Sequence, residues 1–288
     1  ECELPHRVAT SRLGFWADDY YGDLTRSDGT AGGTTVLVPA RSFDWFTSLV
    51  VVDEQVGFLA NEHDETFSLY RSDGTVSGTV RVANLPTEPF SLSETGDSVH
   101  FFTAGQLWRS DLTAAGTVLV RNDVDNSLAG PLTRYGSLLL VQGYSRLSWL
   151  RADGSTALTP LVSDASLIYS EHLVVHQHWA YFWGSNSATR VRLVRLDLDE
   201  LAATGSATPQ ILAGFDRPSE AYRGSFDGDL VPLDDGRLAF TARDKKLGEE
   251  LFVTDGTSSG TRRVADTYAG PVGGVFSDPV ALAGGVVF

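Results

Sequence analysis

An eleven-residue pattern returns four times along this chain, and nothing else in the sequence restricts its folding as much. The copies are Leu24-Thr-Arg-Ser-Asp28-Gly-Thr-Ala-Gly-Gly33-Thr, Leu69-Tyr-Arg-Ser-Asp73-Gly-Thr-Val-Ser-Gly78-Thr, Leu107-Trp-Arg-Ser-Asp111-Leu-Thr-Ala-Ala-Gly116-Thr and Leu251-Phe-Val-Thr-Asp255-Gly-Thr-Ser-Ser-Gly260-Thr. Two weaker copies are centred on Asp153 (Trp149-Leu-Arg-Ala-Asp153-Gly) and Asp197 (Leu193-Val-Arg-Leu-Asp197), the second followed by an insertion. From one Asp to the next the steps are 45, 38, 42, 44 and 58 residues. A self-similar period of that length means one supersecondary unit packed repeatedly against itself. The apolar runs are short, β-branched or aromatic, and broken by Gly, Asp and Ser, so the unit is built from strands.

Each repeat divides into four strands, A to D. In the second these are expected at Phe46–Val51, Val56–Ala60, Ser68–Ser72 and Thr79–Val82; in the sixth at Leu230–Leu233, Arg237–Ala242, Glu250–Thr254 and Thr261–Val264. Strand B carries Phe15, Phe58, Phe102, Phe182 or Phe240, placed to fill the space between adjacent sheets, because one four-stranded sheet cannot bury both faces alone. The expected fold is all-β: residues 1–288 as a single domain, a six-bladed β-propeller of four-stranded blades. The first repeat supplies Leu13–Ala17, Leu24–Ser27 and Thr35–Val38 but no clear strand A beyond a remnant at Pro5–Val8. Asp278–Leu282 fits that empty slot, so the ring is expected to close by pairing Val280–Leu282 with Leu13–Ala17. The alternative is an incomplete seven-bladed propeller, with Val286-Val-Phe288 opening another strand B.

These copies resemble the ELWxxDGT repeat family of exported bacterial proteins, over nearly the whole chain. The resemblance implies a propeller-like fold and a place outside a bacterial cell; it implies no catalytic residue and no ligand. The Ser-Asp-Gly-Thr element is also comparable to the Asp-box hairpin of sialidase-type propellers. The motif joins strand C to strand D, and a structural role is expected for Asp28, Gly29, Asp73, Gly74, Asp111, Asp153, Asp255 and Gly256. Asp accepts backbone N–H bonds in an Asx-turn, and Gly supplies positive φ. Calcium in these loops is the alternative, but one Asp and a few carbonyls fall short of six to eight oxygens. No other cofactor and no metal is implied. An Arg recurs two residues before the Asp (Arg26, Arg71, Arg109, Arg151, Arg195), read as an ion pair or a packed stem against the sharper reading of an anion-binding ring.

In such a repeat the C–D turns mark one face and the B–C loops and D–A connectors the other, where a partner is expected. The candidate binding residues there are Asp18, Asp19, Tyr20, Tyr21, Trp45, Glu62, His63, Asp64, Tyr144, Asn186 and Asp244, with connectors at Asp44-Trp45, Asp123-Val124-Asp125 and Phe215–Phe226. His63, among carboxylates, is a minor metal candidate. His176-Gln-His178 has strand-like metal spacing but falls near the A–B turn, on the opposite face.

Charge limits the partners. The net charge is −15, which repels phosphate backbones and anionic lipid, so neither nucleic acid nor membrane insertion is expected. One cysteine, Cys2, excludes an internal disulfide framework, and the absence of Met points to a processed or partial chain. No nucleophile elbow, phosphate loop or zinc-protease motif occurs. The leading expectation is a secreted or cell-surface binding or structural protein engaging a protein or glycan. The alternatives are a polysaccharide hydrolase or lyase using loop carboxylates, and a subunit of a larger surface assembly.

Overall fold

The computed structural model describes residues 6–17, 22–128, 130–143, 146–163, 167, 169–185, 190–216, 229–244, 248–264, 280–282 and 285–287. The fold is all-β, and each repeat forms a four-stranded antiparallel meander. In chain order the strands are β1 His6–Ala9, β2 Gly14–Ala17, β3 Leu24–Ser27 and β4 Thr35–Val38; β5 Trp45–Val52, β6 Gln55–Asn61, β7 Phe67–Ser72 and β8 Val80–Leu85; β9 Phe90–Glu94, β10 Val99–Thr103, β11 Gln106–Ser110 and β12 Val118–Arg121. There follow β13 Leu132–Tyr135, β14 Leu138–Gln142, β15 Leu147–Arg151 and β16 Thr159–Pro160; β17 Tyr169–His176, β18 Trp179–Ser185, β19 Arg190–Asp197 and β20 Gln210–Asp216; β21 Val231–Pro232, β22 Leu238–Asp244, β23 Gly248–Thr254 and β24 Arg262–Arg263; and the hairpin β25 Val280–Leu282 with β26 Gly285–Val287. The fifth and sixth meanders join in one sheet through a single bridge, Asp216 to Arg243. The insertion after Asp197 is a helix, α1 (Leu198–Thr204). Among the described residues no helix is long and apolar enough to cross a membrane.

The chain divides into two compact units, Glu1–Val141 with Leu150–Leu158, and Gln142–Trp149 with Thr159–Phe288, the boundary running through the fourth sheet. In the first unit successive A strands lie side by side, β1 by β5, β5 by β9 and β9 by β13; in the second, β25 lies by β21.

Strand B is the buried spine of each meander. β10 is buried at all five positions and β6 at its five inner ones, because packing covers both faces of the sheet. Neighbouring B-strand residues therefore feed different cores. Phe58 joins Phe15, Phe43 and Phe46 between the first and second repeats, while Leu59 joins Leu69, Phe101 and Leu112 between the second and third. Phe102 packs with Leu107, Leu132 and Leu139. In the second unit Phe240 packs with Trp183, Leu193 and Phe215. Phe182 is fully buried too, but its neighbour Trp183 is the side chain that enters that cluster.

Strand A holds a feature that apolar periodicity does not announce. β5, β9 and β17 each bulge opposite a B-strand Phe, between Thr47 and Val50, Ser93 and Phe90, and Glu171 and Val174. Ser91 and His172 take positive φ there (55° and 53°), which turns the next residue, Leu92 or Leu173, into the core.

The expected closure is corrected. Both edges of β2 are already paired, with β1 and with β3, so no strand can be added beside Leu13–Ala17. His6–Ala9 is strand A of the first repeat; His6 and Arg7 hide it from an apolar search. Val280–Leu282 pairs instead with Gly285–Val287.

Candidate functional site

The two ends of each sheet are built differently. At the C–D end, Thr75 donates both its N–H (2.9 Å) and its hydroxyl (2.8 Å) to Asp73 Oδ1. The same hydroxyl accepts from Gly78 N–H at 2.9 Å. Ser72 Oγ accepts from Gly74 N–H (3.2 Å) and bonds Thr79 Oγ1 at 2.7 Å across the mouth of the turn. The turns at Asp28, Asp111 and Asp255 repeat this network. Asp153 accepts from Ser155, whose N–H lies 2.9 Å from its Oδ1, and Asp197 becomes the N-cap of α1, accepting from Asp199 and Glu200. The Thr or Ser donors hold the carboxyl groups of Asp28, Asp73, Asp111, Asp153 and Asp255 below the ordinary Asp value.

Both glycines of the motif have a steric cause. Gly29, Gly74 and Gly256 have φ of 90°, 84° and 87°. A Cβ on Gly78 would stand 2.0 Å from Asp73 Oδ1. The residue after the Asp also touches the preceding repeat. A Cβ on Gly74 would meet Leu13 Cδ1 at 2.7 Å, and one on Gly256 would meet Tyr181 Oη at 2.6 Å. In the third repeat Leu112 holds this place at φ 62° and its side chain lies against Gly57.

The loop end is best defined in the second repeat. His63 spans the gap between the D–A connector and the B–C loop: its Nδ1 lies 2.7 Å from Asp44 Oδ1 and its Nε2 2.7 Å from Arg41 O. The hydrogen bond to Asp44 first and that to the Arg41 carbonyl second raise the His63 pKa, with the Asp44 charge adding to them. Asp64 accepts from Thr66 N–H, and the Thr66 hydroxyl first and this N–H second lower its pKa. Glu62 accepts from Ser68 Oγ (2.9 Å), Tyr70 Oη (3.0 Å) and Arg81 (3.2 Å). Burial, with Glu62 next, pushes Tyr70 up to about 12. Trp45, half-buried, rests on Phe67 with ring centroids 6.0 Å apart, and its indole N–H has no bond among the described residues.

The structure thus brings Trp45, Glu62, His63 and Asp64 together. Asp18, Asp19, Tyr20, Tyr21, Tyr144 and Asn186 lie outside the described residues, as do Lys245, Lys246 and most of the Phe215–Phe226 connector; Asp244 is placed in β22 by its backbone alone. Asp123 is paired with Arg121, and Asp125 accepts from Ser127. Arg41, Phe67, Tyr70 and Arg81 were not read from the sequence as part of this loop end. A Tyr and an Arg in β-strand alternation beside an acidic loop were the available signal.

The histidines of the fifth repeat are tied up locally. His176 Nε2 donates to Gly236 O (3.0 Å), His178 lies against Trp179 with the rings tilted by 42°, and His172 Nδ1 lies 3.1 Å from Asp229. His100 is buried, bonded to Thr95 Oγ1, and lowered to about 4, by burial first and Arg109 next. The recurrent arginines bind within their own repeats: Arg26 to Gly33 O, Arg71 to Gln55, Arg109 to Asp97, Arg151 to Ser137, and Arg195 to Gln210 while lying 3.8 Å over Trp179. Among the described residues no group of three or more His, Cys, Asp or Glu could hold a metal ion.

No family model matches the chain, and no curated protein does. Among solved structures it is similar to Citrobacter koseri AztD, with a TM-score of 0.59 and 13% identity over 90% of this chain and 70% of that one. It is also similar to a prolyl endopeptidase (TM-score 0.58, 14% identity, 97% of this chain and 44% of that one) and to a chain of the mitotic checkpoint complex (TM-score 0.55, 12% identity, 92% and 80%). The chain spans less than half the length of the endopeptidase. At such identities the likeness concerns the fold, and that fold is a β-propeller.

Proposed function

We propose that this chain is a binding module of the ELWxxDGT kind, displayed or secreted by a bacterium, that engages a protein or a glycan through its B–C loops and D–A connectors. The observation that carries the reading is the second repeat's loop end. It is held rigid by its own hydrogen bonds and offers an aromatic platform, Trp45 on Phe67, with a spare N–H donor. A half-buried Trp supplies contact area at little entropic cost and one directional bond, which suits a sugar ring or a peptide. The hydrolase or lyase reading draws no such support. Every described carboxyl group with a clear pKa shift is shifted down, opposite to what a general acid needs. Nucleic acid and bilayers are unfavourable partners for a chain of net charge −15.

The test is a glycan array followed by tryptophan-fluorescence titration of any hit, with basic peptides as the second probe set. Trp45→Ala is expected to weaken binding at least about tenfold, about 1.4 kcal/mol. Full affinity in Trp45→Ala overturns the loop-end assignment.

A second reading, membership in a larger assembly, rests on the D strands. Val36, Val80, Val118 and Leu119 are 44, 37, 44 and 43% exposed on the edge strands β4, β8 and β12. Sedimentation of Val118→Lys/Leu119→Lys against the parent chain tests it: a larger species in the parent that the variant loses supports it, and identical monomers sink it. As to blade number, β25 sits beside β21 as β5, β9 and β13 each sit beside the A strand before them, and pairs with a following strand β26, so we read it as the opening of a seventh repeat. Seven radial sheets in an experimental structure would support that count, and six would refute it.

A further inference from the structure

We propose that His63 is a proton-operated latch: protonated, it ties the connector Arg41–Asp44 to the loop Asn61–Phe67 by two hydrogen bonds, and on losing its proton it releases one of them. The two partners decide this. Asp44 Oδ1 is a carboxylate oxygen and Arg41 O a backbone carbonyl; both only accept. A neutral imidazole carries one N–H, so it satisfies one of these contacts and turns a lone pair towards the other acceptor. Only the imidazolium satisfies both. The same two bonds leave no ring nitrogen free to take a proton from a substrate, so the pair is a tether and not a catalytic dyad.

The surroundings favour the charged form. Asp44 and the Arg41 carbonyl reach the ring from the connector, and Asp64 adds its charge from the loop; Arg81 on β8 is paired with Glu62. Two non-glycine residues in this region, Arg41 (φ 64°) and Glu65 (φ 63°), are held in the left-handed region, a conformation that persists where neighbouring contacts enforce it. The rest of the loop end stays fastened without His63. Asp44 N–H donates to Asn61 O (2.9 Å), Glu62 N–H to Thr66 O (2.8 Å), and Phe43 is buried among Phe46, Phe58 and Tyr70. Release therefore loosens Ala40–Ser42 beside Trp45 and not the sheet. The sign follows from the raised pKa. The tether is complete below the ordinary His value of 6.5 and is lost as pH rises through the higher folded-state pKa.

The latch exists or not irrespective of the partner; only its consequence rests on the binding role proposed for this loop end. The experiment is a two-dimensional NMR titration of the six histidines in the whole chain. His63 is assigned by its loss in His63→Gln, and amide protection factors are followed at Arg41, Ser42 and Asp44. His63 is expected to titrate above 6.5 with both ring nitrogens protonated, and Asp44→Asn to bring the value down. Protection at Ser42, whose N–H donates to Pro39 O, is expected to fall roughly tenfold across that titration, the weight of one charge-assisted bond, and to be flat in His63→Gln. A His63 pKa at or below 6.5 overturns the latch. So does protection in the parent chain that ignores the titration. If His63→Gln does not fold, Asp44→Asn carries both readouts. Failure to find a glycan or peptide ligand, with the titration as expected, discards the binding role and keeps the latch.

Discussion

The two ends of the second repeat's sheet hold their loops with similar means and opposite logic. At one end Asp73, Thr75, Gly78 and Ser72 make a closed set of short bonds that recurs around Asp28, Asp111 and Asp255. At the other, Asp44, His63, Glu62 and Tyr70 make a set found only here among the described residues. The turn is a local solution: every donor lies within a few residues of its acceptor, so the motif carries all the information and can be copied. The loop end is a solution by assembly. His63 reaches back 22 residues to Arg41, and Arg81 reaches back 19 to Glu62, so no short motif encodes it. Copied local structure sets the architecture; singular long-range structure is where a specific partner can be recognised.

The largest expected effect breaks the turn while leaving the loop alone. In Gly78→Ala the new Cβ would lie 2.0 Å from Asp73 Oδ1, so either the carboxylate swings out of its two Thr75 bonds or the turn opens. A loss of about 3 kcal/mol is expected. Chemical denaturation measures it, and the summed emission of the six tryptophans in the native baseline should not move. A variant as stable as the parent means that the turn is plastic and that its recurrence has another cause.

A second substitution sharpens the account of how turns dock. Leu112 holds the place of the motif's first Gly, at φ 62°, and is buried against Gly57 in a cluster with Leu59, Leu69 and Phe101. Leu112→Gly relieves about 1 kcal/mol of left-handed strain but removes a core Leu, which costs about 3–4 kcal/mol. A net loss of about 2 kcal/mol is expected by the same denaturation assay. A gain in stability would mean that Leu112 is merely tolerated and that the turn does not fasten the third repeat to the second.

How much of this was legible follows the same division. β3 and β4 have the ends expected for them, and beside the motif, whose bonds are all short-range, β7 ends at Ser72 as expected and β8 starts one residue late. Away from it β7 starts one residue early, and β8 runs on to Leu85, three residues past its expected end. The B-strand phenylalanines were legible because both faces of that strand are buried. Strand A was legible only in part. Its bulges at Ser91 and His172 depend on what lies across the sheet, and β1 is too polar to show an apolar rhythm. In the candidate site, Trp45, Glu62, His63 and Asp64 could be gathered as neighbours in loops, but not what each does. That His63 bonds Arg41 O and not a ligand is a fact of tertiary distance, and α1 after Asp197 is the Asp motif's own capping chemistry used to start a helix.

The smallest effect concerns pH, and it separates the two ends most cleanly. Asp73 is held below its ordinary value of 3.8 by the Thr75 hydroxyl and N–H, with similar causes at Asp111 and Asp255. A group whose folded-state pKa is depressed contributes stability above its unfolded value, and that contribution fades as pH falls through the folded value. The turns should therefore weaken only below about pH 4. The His63 tether, with its pKa raised above 6.5, weakens as pH rises. Asp73→Ala removes one turn's share, about 1 kcal/mol at neutral pH, as the loss of an Asx-type cap does. The difference in unfolding free energy between parent and Asp73→Ala should be constant from pH 5 to 8 and shrink towards pH 2, where the parent carboxyl is protonated as well. His63→Gln should leave the Asp73→Ala difference on that acid limb untouched; its own destabilisation should be full below pH 6.5 and vanish as pH rises through the raised His63 pKa. An Asp73→Ala difference that persists undiminished at pH 2 means that the neutral carboxyl holds the turn as well as the charged one, and the contrast between the two ends is then one of location and not of charge.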